Sequence, residues 1–190
     1  MRLVRSFLDE ETLRTLQELA AAEDRSWVMG RQGSGYEKVA CQIRMPDSGI
    51  TGDLVDSKFV SALVYRCLCL MTTTEPTQGA AQLQSPEDYD RLIRTLPCTG
   101  GSDSYFLRCG PGIAIPPHTD PSTPGFEHHR LNVVLSTEHE GGNVTIAGEE
   151  VVWEAGDALI FRPDLRLHDV STVTSGQRLL WSVGCLLPEP

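Results

Sequence analysis

The sequence predicts a mainly β fold, a sandwich or jelly roll with flanking helices. Three observations carry that expectation. Eight short strand candidates follow one another between Tyr105 and Leu186, with Gly141-Gly142, Ala147-Gly148, Gly156-Asp157 and Ser175-Gly176 as turn punctuation. The two long apolar stripes of helical period both fall before residue 72, so helices and strands are segregated along the chain. Many short strands at this spacing suit antiparallel layers rather than a parallel sheet.

Asp9 is a helix N-cap, with Leu8 before it and Leu13 four positions inside, the arrangement of a hydrophobic staple. Leu13, Leu16, Leu19 and Ala20 then form one apolar stripe. Val39–Met45 alternates well enough for a strand. Phe59, Val60, Leu63, Val64, Cys67 and Leu68 recur at helical spacing, predicting a second helix over Phe59–Met71 that packs on a sheet. From Thr72 to Ser102 the chain is rich in Thr, Gln, Gly and Ser, with one short helix near Pro86–Leu96 opened by Ser85. A loop of this length predicts a mobile cover. The strand candidates after it are Tyr105–Cys109, Ile113–Pro116, Leu131–Ser136, Val144–Ile146, Glu150–Trp153, Ala158–Phe161, His168–Val173 and Leu179–Leu186.

A chain of 190 residues fits one domain, residues 1–190, with 1–104 supplying helical support and substrate-side insertions and 105–187 the β core. The formal net charge of −10 and the lack of any Lys/Arg cluster argue against nucleic acid and anionic membranes as partners. The apolar stretch Phe59–Met71 is too short to span a bilayer and contains Arg66. The six cysteines form no CxxC pair and no disulfide framework, and the N-terminus turns acidic too early for a secretory signal. These features predict a cytoplasmic protein that keeps its thiols reduced.

The chemistry-bearing pattern is His118-Thr119-Asp120 with His168, 48 residues past Asp120, at the start of a predicted strand. Residues two apart on an extended segment leave the same side and can meet one ion. Several antiparallel strands can pass in the interval, bringing His168 back beside the pair. Two imidazoles and one carboxylate hold an iron(II) ion by one face and leave the other open. Arg178, ten residues after His168, enters the apolar run Leu179–Val183. An arginine there is costly to bury unless an anion meets it, and a dicarboxylate would be that anion. Each residue also has an ordinary reading: His168 as a turn histidine, Asp120 as a loop cap, Arg178 as a snorkelling surface residue.

FLDEETLRTLQELA at the start, HTD, RLNVVLS followed by a Gly pair, GDALIFRPDLRLHDV and SGQRLL together resemble the prolyl-4-hydroxylase-type branch of the iron(II)/2-oxoglutarate dioxygenases. The RLNVVLS to GDALIF to His168 stretch is also similar to aspartyl/asparaginyl hydroxylases of the same superfamily. The resemblance implies a double-stranded β-helix of cupin-like type, with His118, Asp120 and His168 as catalytic iron ligands. It implies 2-oxoglutarate as cosubstrate, its distal carboxylate on Arg178, and O2 as the oxidant. A carboxylate at Asp120 points to hydroxylation rather than halogenation, with desaturation or ring closure able to share the same ligands.

One departure from the family pattern is Leu180, where a hydroxyl often assists the distal carboxylate. Tyr105 is the candidate to supply that hydroxyl, and the Asn132 amide is a candidate contact for the chelating carboxylate. Arg108 and Trp181 are the candidate substrate contacts, followed by Arg44 and Arg166. His128-His129 reads as a loop pair, since adjacent residues on an extended chain point opposite ways. The substrate expected is a small molecule, an amino acid or a natural-product intermediate. A peptide or protein hydroxylase and a non-catalytic metal-binding sensor or scaffold stay open beside it, and the oligomeric state is undetermined.

Overall fold

The computed structural model describes residues 1–22, 27–30, 34–44, 58–77, 80 and 83–190. Asp9 caps the first helix as expected: its carboxylate accepts the Thr12 N–H at 2.8 Å, and α1 runs Glu10–Ala21. Leu16 and Ala20 are buried, with Leu13 and Leu19 packed at the margin. The second helix, α2, runs Lys58–Thr72 and buries Val60, Leu63, Val64, Cys67 and Leu68. Among the described residues no helix is long and apolar enough to cross a membrane.

The strands form two facing antiparallel layers. The larger has seven strands: β1 (Arg2–Val4), β2 (Val28–Met29), β3 (Glu37–Arg44), β4 (Ser102–Cys109), β6 (Phe126–Val134), β10 (Ala158–Phe161) and β13 (Arg178–Pro188), in the order β1-β10-β6-β13-β4-β3-β2. The smaller has β5 (Ile115–His118), β8 (Val144–Ile146), β9 (Glu149–Val151) and β11 (His168–Val170), in the order β5-β11-β8-β9. A two-stranded ribbon of β7 (His139–Gly141) and β12 (Val173–Gly176) joins them. This is the double-stranded β-helix expected from the resemblance, with helices on the outer face of the larger sheet.

Two apolar cores follow from the period of two along each strand. On the helix side, Leu16, Val64, Leu68, Phe106, Leu131, Val133, Trp181 and Val183 pack together. Between the sheets, Val144, Ile146, Leu159, Phe161 and Val170 form a smaller cluster with Leu3, Ile115 and Trp153 at its edge. The alternate positions on β6 and β13 face that same interior and carry polar groups.

Several sequence expectations change. The strand expected over Val39–Met45 is β3, paired with β4, but the first part of the chain adds β1, which pairs with β10 inside the large sheet. The strand expected over His168–Val173 divides at Ser171, where the chain leaves the small sheet for the ribbon. His128 and His129 lie on β6 rather than in a loop. The described part of Thr72–Ser102 is no cover over the interior. Its helix α3 (Pro86–Ile93), capped by Ser85, packs on α2 and buries Tyr89 and Ile93, with Leu96 buried just past its end. The Tyr89 hydroxyl donates to the Ala80 carbonyl at 2.7 Å within the segment, and the Tyr65 hydroxyl of α2 holds it by accepting the Thr77 N–H at 2.9 Å.

Asp157, buried at the turn before β10, ties the N-terminus to the sheet. Its carboxylate accepts the Ser6 N–H at 2.9 Å, the Glu154 N–H at 3.0 Å and Arg5 Nη1 at 2.7 Å. Burial pushes its pKa up, but the Glu154 and Ser6 amides and Arg5 outweigh burial, so it lies below the ordinary aspartate value. A carboxyl with a depressed folded pKa stabilises above its ordinary pKa and loses that stabilisation as pH falls through the folded value. Asp157→Asn should therefore cost about 1–3 kcal/mol at neutral pH. The gap to wild type should narrow below about pH 4. Thermal unfolding across pH checks this, and a gap that stays constant into acid would refute it.

Candidate metal centre

β5 and β11 are antiparallel neighbours, and their register sets His168 directly opposite His118. The two rings lie 4.2 Å apart between centroids. Each ring is fixed by the carbonyl two residues before it. His118 Nδ1 is 2.8 Å from the Pro116 oxygen, and His168 Nδ1 is 2.9 Å from the Arg166 oxygen. A carbonyl only accepts, so both Nδ1 atoms carry the hydrogen, and in the neutral ring each Nε2 is the nitrogen with a lone pair for a metal. The Phe161 ring meets His168 edge-on at 5.3 Å, closing its apolar side.

Asp120 completes the group. One ligand atom from each of His118, Asp120 and His168 lies within 4.8 Å of the others, and all three residues are half-buried. The Asp120 N–H donates to the Pro163 carbonyl at 2.9 Å, joining the ligand loop to the loop that precedes His168. Arg162 stiffens that second loop through a two-pronged bond to Asp164 (2.9 and 2.6 Å) and an ion pair with Glu127 at 2.7 Å.

The inward face of β6 brings residues that sequence reasoning passed over. Arg130 donates to the Ser182 hydroxyl at 3.0 Å and pairs with Asp103 at 3.1 Å. Ser182 donates in turn to Asn132 Oδ1 at 2.6 Å. Gly184 makes room for this, since a Cβ there would lie 2.7 Å from both Arg130 Nη2 and Asp103 Oδ1. His128, also inward, has its Nε2 3.3 Å from Arg130 and its Nδ1 4.0 Å from Asp120. His129, turned the other way, pairs with Glu127 at 2.9 Å. The available signal was polar alternation: His128, Arg130 and Asn132 sit two apart on one strand, a sign of a polar interior.

Arg178 opens β13 on the inward side, opposite Cys109, and is 4% exposed. It lines a cavity of about 250 Å³ with Val134, His139, Gly142, Val151 and Trp153. Gly142, at φ +66°, leaves only 3.0 Å between a hypothetical Cβ and Arg178 Cδ. Among the described residues no carboxylate lies within ion-pair distance of Arg178, and the Cys109 thiol is its recorded hydrogen-bond partner. Burial pulls its pKa down.

Three assignments are corrected. Trp181 is fully buried in the helix-side core, because its odd position on β13 faces away from the interior. Arg108 leaves the same outer face of β4, paired with Glu37 at 2.6 Å and stacked 4.1 Å from the Trp27 ring. Tyr105 does face inward, but beside Asp103 and Arg130; burial, then Asp103, push its pKa up to about 12. It pairs with Ser182, four residues before the Cys109 that faces Arg178. That is about 13 Å along a strand, so Tyr105 is not placed to replace the missing hydroxyl. Arg166 is exposed at the rim, and the Arg44 side chain lies outside the described residues.

Comparison with known proteins gives two kinds of likeness. In fold, the chain is similar to a Pseudomonas putida prolyl-4-hydroxylase, with 16% identity over 100% of this chain and 92% of that one, at a TM-score of 0.61. It is also similar to SnoN, a non-heme alpha ketoglutarate dependent epimerase from nogalamycin biosynthesis (15% identity, 98% and 77% coverage, TM-score 0.59). HygX from Streptomyces hygroscopicus, whose structure holds nickel and 2-oxoglutarate, follows at 11% identity, 98% and 82% coverage and a TM-score of 0.56. No curated protein sequence gives a significant match. In sequence, the family model for aspartyl/asparaginyl beta-hydroxylases matches residues 70–188, a span that includes the His-Asp-His group and Arg178. The chain belongs to the aspartyl/asparaginyl beta-hydroxylase family.

Proposed function

We propose that this protein is an iron(II)- and 2-oxoglutarate-dependent oxygenase that hydroxylates a C–H bond of a small molecule. The observation that carries the reading is the grouping of His118, Asp120 and His168, each histidine with its Nδ1 held by a carbonyl. Both histidines present Nε2 lone pairs beside the Asp120 carboxylate, with all three ligand atoms within 4.8 Å. Two neutral nitrogens and one charged oxygen suit iron(II) and bind it from one side. The fold relatives include a Burkholderia pseudomallei oxidoreductase named for the 2OG-Fe(II) oxygenase family, and HygX, whose structure holds 2-oxoglutarate with nickel.

When bound, iron with 2-oxoglutarate and O2 supplies the oxidising chemistry, releasing succinate and CO2. The chain's own residues would divide the remaining work. His118, Asp120 and His168 hold the metal. Arg178, buried without a carboxylate partner among the described residues, binds the distal carboxylate. The Asn132 amide, whose oxygen accepts from Ser182, would donate its NH2 to the chelating end. Phe161 and the Val144–Ile146–Val170 cluster keep water from the inner side of the histidines. Asp103, Tyr105 and Arg130 make the rest of the interior polar, as a small polar substrate requires. Substrate screening with both small molecules and peptides, read by mass spectrometry as one added oxygen or two lost hydrogens, separates hydroxylation from desaturation and small from macromolecular substrates.

His168→Ala and Asp120→Ala should each remove saturable iron(II) binding and succinate formation while the protein stays folded. Retention of turnover by either would overturn the ligand assignment. No iron- and oxygen-dependent succinate formation by folded wild-type protein with any substrate would favour the sensor or scaffold. Arg178→Leu should raise the KM for 2-oxoglutarate about 10- to 100-fold, as expected for losing a charge-assisted contact. Iron affinity should barely change. An unaltered KM would remove Arg178 from the cosubstrate site.

A further inference from the structure

We infer that His128 is a positioning residue: set by Arg130, its Nδ1–H faces the outer oxygen of Asp120 and turns that carboxylate to offer a single oxygen to the metal. The inference rests on the proposed metal site and adds a residue to it. Arg130 has donors only, so the 3.3 Å contact between its Nη2 and His128 Nε2 requires Nε2 to be the acceptor. A neutral imidazole that accepts at Nε2 carries its hydrogen at Nδ1. Nδ1 lies 4.0 Å from Asp120 Oδ2, while the other oxygen, Oδ1, is the one 3.7 Å from His118 Nε2. At 4.0 Å the link is a dipole facing a charge, direct or through one water, rather than a formed hydrogen bond.

The chain of contacts continues behind His128. Arg130 is held by Asp103 at 3.1 and 3.2 Å and by Ser182 at 3.0 Å, so its direction toward His128 is fixed on three sides. Asp103, Arg130, His128 and Asp120 thus alternate as acceptor, donor, relay and ligand. Outer partners of this kind orient metal ligands, and losing one weakens metal affinity about 10- to 100-fold.

Two amides separate the donor at Nδ1 from the acceptor at Nε2. In His128→Asn the side-chain NH2 falls near the position of Nδ1 and can still face Asp120. In His128→Gln the amide reaches the Nε2 position, meets Arg130 and no longer offers an N–H at the Nδ1 position facing Asp120. Both variants are titrated with Co(II), reading affinity and the intensity of the visible bands, which falls as coordination number rises. His128→Asn should keep wild-type affinity and spectrum. His128→Gln should bind about 10- to 100-fold more weakly, with weaker bands as both Asp120 oxygens coordinate. Equal behaviour of the two variants, whether both intact or both impaired, would overturn the proposal. A wild-type protein that does not bind Co(II) at all would instead remove the metal site on which it rests. Thermal unfolding of all three forms establishes that the comparison is made on folded protein.

Discussion

The interior depends on one constraint: successive side chains of β6 and β13 must leave opposite faces of the same sheet. Leu131, Val133, Trp181 and Val183 go to the helices, so Arg130, Asn132, Ser182 and Gly184 go to the space between the layers. The two strands are paired so that Asn132 meets Ser182 and Arg130 meets Gly184. The polar network therefore needs no irregular backbone. A one-residue slip of either strand would put the tryptophan among the polar groups and the arginine into the apolar core.

Two arginines in that interior are treated in opposite ways. Arg130 has a carboxylate and a hydroxyl among its partners, so its charge is compensated within the protein. Arg178 has a thiol, a weak partner, and is 4% exposed. A buried cation without a counter-charge costs stability that a dicarboxylate can return on binding. The contrast leaves the interior with one arginine, Arg130, whose charge is compensated and another, Arg178, with no carboxylate partner among the described residues.

Much of this was legible in the sequence, for physical reasons that differ by residue. Asp9, Ser85 and the stripe from Val60 to Leu68 are local signals, and α1, α3 and α2 begin or pack as those signals say. His118, Asp120 and His168, which the fold brings together, could be picked out because histidines are few in this chain, five in all. Trp181 and Arg108 were misplaced because residue type says nothing of which side of a strand is inside, and that parity is set by pairing with distant strands. Arg130 was passed over because an arginine in sequence looks like a surface residue until Asp103, 27 positions away, is seen beside it. The Thr72–Ser102 segment was read by composition, whereas Tyr89, Ile93 and Leu96 decide where it packs.

The pairing of β1 with β10 has a consequence for the order in which the protein assembles. Arg2, Leu3 and Val4 find their partners at Ile160, Leu159 and Ala158, among the longest sequence separations the fold contains. During synthesis the first strand stays unpaired until most of the chain has been made, and β10 waits with one bare edge. Contacts this distant in sequence close slowly because the loop entropy is lost before the contact forms. Until then an unpaired strand edge is open to neighbouring chains. Crowding and synthesis rate should therefore bear on the yield of native protein more than the stability of the finished fold would suggest.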